Sequence, residues 1–213
     1  MPPVHTLVLF APVALALLVV PGPAVLYIVT RSIDQGRTAG FISVAGIHVG
    51  SLVHVAAAAF GLSAILASSA VAFGLVKYAG AAYLIVLGIR KLLEKDRPDE
   101  AVGEVRPRSL RRIFVQGIVV NVLNPKTALF FLAFLPQFVD VGRGAVWLQM
   151  VVLGLTFIAL GLCSDGAYAL VSARAGGWLR SSVRFRRAQR YVAGGIYLSL
   201  GAVAALAGSR SES

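Results

Sequence analysis

The sequence predicts an all-α, polytopic membrane protein of six transmembrane helices, and three observations predict it. Of 213 residues, 58% are hydrophobic and only 14% are charged, against about 45–50% and about 25% in a soluble domain. Long stretches carry no charge at all, and short stretches between them carry most of it. The basic residues among those are divided unequally between alternate connections, as a bilayer protein requires for orientation. An ionised group in hydrocarbon costs several kcal/mol, so this distribution follows from the solvent.

A helix needs about 20 apolar residues to cross the hydrocarbon core. The first run that meets this covers about 4–29. It is apolar from Val4 with no basic residue before it, and it continues through Pro21-Gly22-Pro23 without a small-x-small cleavage pattern. It therefore reads as a retained span and not as a signal peptide. The second and third runs, 40–66 and 70–92, are separated by Ser68 and Ser69, which predicts a tight hairpin. Residues 93–112 mix acidic and basic side chains with Pro98 and Pro107, and read as a charged cytoplasmic linker. The fourth, fifth and sixth runs cover 113–136, 145–172 and 189–208. The chain thus divides into a first three-helix unit, 1–92, the linker, and a second unit, 113–213.

The net charge of +11 raises nucleic acid as a partner. The placement of the cations excludes it. The first connection holds Arg31 and Arg37, the third holds eight basic residues and the fifth six; the opposite side holds Arg143 and Arg210. The positive-inside rule places the basic side in the cytoplasm and both termini outside. The Arg180–Arg190 cluster reads as a contact with anionic lipid headgroups. Cys163 is the sole cysteine, so the chain has no internal disulfide and no dithiol redox pair.

The two units resemble each other. Ala79-Gly80-Ala81-Ala82-Tyr83-Leu84 in the third run matches Ala193-Gly194-Gly195-Ile196-Tyr197-Leu198 in the sixth, and an aromatic stretch follows Pro21 and Pro125 at the same spacing. Two related units with an odd number of spans enter the membrane in opposite senses, which predicts an inverted repeat.

Both repeats carry a helix breaker. Proline removes a backbone donor and displaces the residue before it from helical geometry. Pro21-Gly22-Pro23 should therefore break the first helix, and Asn124-Pro125 the fourth. Irregular backbone is tolerated at membrane depth only inside protein or around a wet cavity, and paired interruptions point to a central substrate site. Each restarted half-helix presents unpaired N–H groups and the positive end of its dipole, a setting for a carboxylate. Lys126, at the second break, costs about 2.5–3.5 kcal/mol at a span centre and should face the interior with a partner. It reads either as a substrate or counter-ion contact or as a packing feature bonded to backbone carbonyls.

Asp165 is the sole acidic residue inside a predicted span. It reads as a proton carrier, a partner for Lys126, a holder of a substrate ammonium, or a group that meets headgroup water. Tyr27 either lines the cavity or fills the core. Gly46, Gly50 and His54 share one helical face, with the glycines allowing close packing and His48 projecting elsewhere. Gly80 and Gly194 read as packing contacts, and Lys77 as a snorkelling residue. Two histidines without supporting Cys, Asp or Glu on their span do not make a metal site. No nucleophile–base pair or cofactor motif is present, so neither an enzyme nor a bound cofactor is expected.

These motifs, taken together, resemble the LysE/RhtB family of amino-acid exporters. The resemblance rests on Pro21-Gly22-Pro23, the glycines of the second run, Gly80-x-x-Tyr83-Leu84-x-x-x-Gly88 and Asn124-Pro125-Lys126, in that order along the whole chain. It implies a bacterial cytoplasmic-membrane protein that exports amino acids such as lysine, arginine, homoserine, threonine, leucine or cysteine derivatives. It implies an ion gradient as the driving force, with H+ or Na+ as coupling ion, and functional positions at Pro21, Gly22, Pro23, Asn124, Pro125 and Lys126. The oligomeric state stays open, a homo-oligomer included. The alternative is a metal or inorganic cation exporter on a related scaffold, which calls for more intramembrane Asp, Glu, His or Cys than this chain has.

Overall fold

Prolines and one glycine decide where the helices stop. The computed structural model describes residues 2–62 and 109–181, with isolated positions between 75 and 93 and at 191, 198 and 202, and every regular element among the described residues is helical. Apart from those isolated positions, the third and sixth runs, Lys77, Gly80, Gly194, the 79–84 and 193–198 repeat and the linker before Ser109 lie outside the described residues.

Helix α1 spans Val4–Val19, and Val20 leaves it at φ −69°, ψ 118°. Gly22 is extended, and α2 starts at Pro23. Proline suits a first helical position, where its fixed φ fits and no N–H is needed. The break therefore occupies three residues, at the place where the proline pair removes two donors.

Helix α2 runs Pro23–Ala56 but is not straight, because Gly36 sits at φ 78°, ψ −174°. A Cβ built on Gly40 would meet the Ser32 side chain, with Ser32 Cβ at 3.2 Å. Eight residues of straight helix span about 12 Å, so the chain folds back at Gly36 into arms 23–35 and 37–56. The connection expected over 30–39 thus narrows to Gly36, with helix on both sides of it. The reversal is one residue, and Arg31, counted above as a loop cation, is buried within the first arm. Gly36→Ala is expected to cost about 1–3 kcal/mol, the price of forcing a side chain into this region of backbone space. Nothing among the described residues lies within 4 Å of the added Cβ, and the expected cost is the conformational one. Thermal unfolding in detergent measures it, and an unshifted midpoint refutes it.

A π-helical segment, Ala57–Leu62, continues the second arm. Helix α3, Leu110–Val122, starts ahead of the expected 113 because the Ser109 hydroxyl accepts the Arg112 N–H at 3.4 Å. After Leu123 and Asn124 the chain restarts as α4, Pro125–Leu129, then passes through a π segment, Phe130–Phe134, and a 3-10 turn, Leu135–Phe138. The two parts of this interrupted helix meet at 46°. Helix α5, Val146–Ser181, has 36 residues and is about 54 Å long, well beyond a hydrocarbon core of about 30 Å. Pro23–Gly61 and Val146–Arg174 are long and apolar enough to cross a membrane, and the bent pair makes a third span if taken as one.

The second arm of α2 lies between α3 and α5. Gly46 and Gly50 bring it against the α3 backbone, with Gly117 Cα 3.2 Å from a Cβ built on Gly46 and Ile118 O 2.8 Å from one on Gly50. Close approach through small residues is how helices associate where lipid removes the hydrophobic drive. Among the described residues two apolar clusters form. One gathers Phe10, Phe130, Phe131, Phe134 and Phe157, with Phe130 and Phe157 stacked at 4.6 Å. The other gathers Ile28, Val44, Ile47 and Ala169. Side chains of both reach one small polar cavity.

Candidate functional site

The site follows from counting the carbonyls that the prolines orphan. In an α-helix each C=O accepts from the N–H four residues on. Pro23 has no N–H, so Val19 O loses its partner, and the Tyr168 hydroxyl of α5 donates to it at 2.7 Å. Pro21 has none either, and Leu17 O takes the Val20 N–H at 3.2 Å instead. Val20 O, pulled out of the helix, accepts from Lys126 Nζ. Pro125 orphans Asn121 O in the same way. That carbonyl accepts from the Asn124 N–H at 3.0 Å and from His54 Nε2 at 2.9 Å. The acceptor fixes the His54 tautomer, with the proton on Nε2.

Around the second break the polar groups close on one another. Asn124 caps α4, its Oδ1 accepting the Lys126 N–H at 3.1 Å. Asn121 Nδ2 donates to Ile47 O and Ser51 Oγ, both at 2.9 Å, and its Oδ1 accepts from the Thr127 hydroxyl at 3.0 Å. Asn121 therefore ties α3 to α2 and to the restarted α4. Across the cavity, His48 of α2 meets Asp165 of α5, Nε2 to Oδ2 at 3.0 Å, with both side chains buried. His48 Nδ1 and Asp165 Oδ1 have no hydrogen-bond partner among the described residues.

Gly22, Asn124, Lys126 and Asp165 all line the cavity, and so do His48, Ser51, Asn121 and Thr127. Its volume is about 30 Å³, room for one or two waters and less than a free amino acid needs. Both restarted helices begin at its wall. Ala24 and Val25 of α2 line it, and the first N–H groups of a helix have no intrahelical acceptor. Lys126 is 8% exposed and Asp165 3%, so two opposite charges sit beside two helix starts with almost no water.

Of the residues singled out from sequence, Pro21, Pro23 and Pro125 shape the breaks without lining the cavity. Tyr27 lies away from it: its hydroxyl donates to Ile113 O at 2.8 Å and the Arg31 guanidinium sits over its ring at 5.5 Å. Gly46 and Gly50 form the α2–α3 seam, with His54 reaching across it. Sequence reasoning missed Asn121 and Tyr168, and it treated His48 and Asp165 separately. A signal existed for Asn121, which lies four residues before Pro125 and so carries the carbonyl that Pro125 strands. Among the described residues, no group of three or more His, Cys, Asp or Glu is arranged to hold a metal.

Comparison with known proteins gives a consistent picture. The family described as LysE type translocator matches residues 15–208. A homoserine/homoserine lactone efflux protein of Salmonella typhi is 30% identical over 188 residues, covering 88% of this chain and 89% of that protein. An uncharacterized membrane protein of Vibrio cholerae is 29% identical, over 84% of this chain and 86% of its own length. The membrane protein YrhP of Bacillus subtilis is 28% identical, over 92% and 97%. No solved structure matches the chain.

Proposed function

The chain belongs to the LysE type translocator family, and from that premise we propose that it exports small zwitterionic amino acids, homoserine among them, by alternating access around the cavity at the two helix breaks. One observation carries the reading. An ammonium and a carboxylate, Lys126 and Asp165, line the same cavity, and among the described residues each has bonding capacity to spare. Lys126 has three donors and commits one to Val20 O. Asp165 Oδ1 has no hydrogen-bond partner among the described residues. A zwitterion complements both.

The substrate carboxylate would sit at Lys126 and the starts of α2 and α4, where N–H groups and helix dipoles favour an anion. The substrate ammonium would sit at Asp165 Oδ1. The carbonyls freed at the first break are the weaker choice, since Val19 O and Val20 O already accept from Tyr168 and Lys126. A cavity of about 30 Å³ must widen to admit the substrate, which the alternating-access cycle would have to supply. The reading includes six spans in two inverted halves in the bacterial cytoplasmic membrane, and an ion moving inward to reset the carrier. Transport is what family membership implies, and no enzymatic step is part of it.

The test is counterflow. Purified chain in proteoliposomes loaded with unlabelled homoserine is expected to accumulate labelled homoserine transiently from outside. Folded, reconstituted protein that gives no transient above empty vesicles overturns the proposal.

A further inference from the structure

We propose that His48 and Asp165 together form the proton site of the carrier, in which a proton on His48 and a substrate ammonium on Asp165 exclude each other. The inference rests on the exporter reading and adds to it the identity and place of the coupling ion.

The geometry carries it. His48 stands on the second arm of α2 and Asp165 on α5, 117 residues apart in sequence, and they meet at 3.0 Å. They are 5% and 3% exposed. A structural ion pair at this depth should use its remaining bonding capacity, because an unsatisfied buried polar atom is costly. This one does not: His48 Nδ1 and Asp165 Oδ1 are bare among the described residues, and both residues line the cavity. The ring's place is reserved by Gly161, one turn before Asp165, where a built Cβ would collide with the imidazole, Nε2 lying 3.1 Å away.

The protonation logic follows from the contact. A carboxylate only accepts, so neutral His48 carries its proton on Nε2 and donates it to Oδ2. Nδ1 then holds a free lone pair. With His48 neutral, the pair bears one negative charge and Oδ1 can hold an ammonium. A proton arriving at Nδ1 makes an imidazolium, the pair becomes neutral, and the attraction for the substrate ammonium falls. The cycle balances as one proton taken from outside, bound at Nδ1 and released to the cytoplasm for each zwitterion carried out. The other titratable groups at hand are Lys126 from α4, which lines the same cavity, Tyr168 one turn along α5, whose hydroxyl is engaged with Val19 O, and His54 on α2, whose Nε2 is engaged with Asn121 O. The Tyr168 hydroxyl and His54 Nε2 are thus committed to backbone carbonyls, and the Lys126 ammonium is a donor only, whereas His48 Nδ1 has no partner among the described residues.

His48→Gln tests the assignment. Its amide can still donate to Asp165, but it takes up no proton. Two rates are measured in the same proteoliposomes: homoserine counterflow, which needs no net proton movement, and homoserine movement driven by an imposed pH gradient, with a trapped pH dye reporting protons. The ratio of gradient-driven to counterflow rate is expected to fall about tenfold or more in His48→Gln, the effect of about 1.4 kcal/mol of lost coupling. An unchanged ratio, or proton movement equal to wild type, overturns the proposal. Wild-type counterflow with no proton movement overturns it while leaving the exporter reading standing. No wild-type counterflow brings down both. Should His48→Gln fail to fold, the wild type still decides: homoserine added to the detergent-solubilised chain in weak buffer should release protons, and no release at any pH from about 5 to about 8 refutes the site.

Discussion

A Lys126→Met chain is expected to reach the membrane in wild-type amounts and to lose homoserine efflux. Two opposed terms set the stability side. Removing the ammonium leaves Val20 O without its partner, a loss of about 1–3 kcal/mol. It also removes a charge whose burial in a span costs about 2.5–3.5 kcal/mol. The terms nearly cancel, and methionine fills a similar volume, so the fold should hold. The transport side has no such offset. A charge-assisted contact to the substrate carboxylate is worth about 1.5–3 kcal/mol, or roughly 10–150-fold in affinity, and methionine supplies no donor. Lys126→Arg should rescue poorly, because a planar guanidinium needs more room than the cavity of about 30 Å³ provides. Efflux from cells fed homoserine-containing dipeptides, normalised to protein in the membrane fraction, reads the effect. Wild-type efflux from Lys126→Met would remove the ammonium from the mechanism. Efflux that falls only in proportion to protein level would make Lys126 a packing residue.

What the sequence made legible is what proline and lone charge write directly. The interruptions at Pro21–Pro23 and Asn124–Pro125 were readable because a missing N–H acts at a known residue whatever its neighbours do. Lys126 stood out because one cation in an apolar run has few places to go. That the chain turns back between 29 and 40 was readable from the apolar runs; that the turn narrows to Gly36 was not, since a glycine beside Asp34 and Arg37 looks like any polar loop. Only the coordinates show helix on both sides of it. The Asn121 network was half readable: its stranded carbonyl follows from Pro125, but the bonds from its amide to Ile47 O and Ser51 depend on how α2 and α3 cross. The His48–Asp165 contact left no sequence signal, as nothing in either helix gives the register of one against the other. Tyr27 stayed open between the cavity and the core, because its place along a helix does not give its direction; its hydroxyl meets Ile113 O on α3.

The largest expected effect on folding comes from the smallest change, Gly46→Ala. A Cβ at this position would lie in contact with the Phe114 carbonyl oxygen, 3.1 Å from Phe114 C and 3.2 Å from Gly117 Cα. All three are backbone of α3, so no side chain can swing aside and the helix as a whole must move out. Overpacking of this kind costs about 1–3 kcal/mol, sometimes more. The displaced helix carries Asn121, whose bonds to Ile47 O, Ser51 Oγ and His54 are all 2.9 Å long. A hydrogen bond weakens quickly beyond about 3.2 Å, so an outward shift of a few tenths of an ångström strains all three. Interhelical bonds in membranes average about 0.6 kcal/mol each. The sum, roughly 3–5 kcal/mol, is a large part of an ordinary protein's stability of about 5–15 kcal/mol. Gly61→Ala is the control, with nothing within 4 Å of the added Cβ among the described residues, and should change little. Fluorescence-detected size exclusion after graded heating ranks the two variants. Equal stability of Gly46→Ala and Gly61→Ala would mean that α2 and α3 do not meet as described. It would also leave the polar cavity without the seam that holds its two walls together.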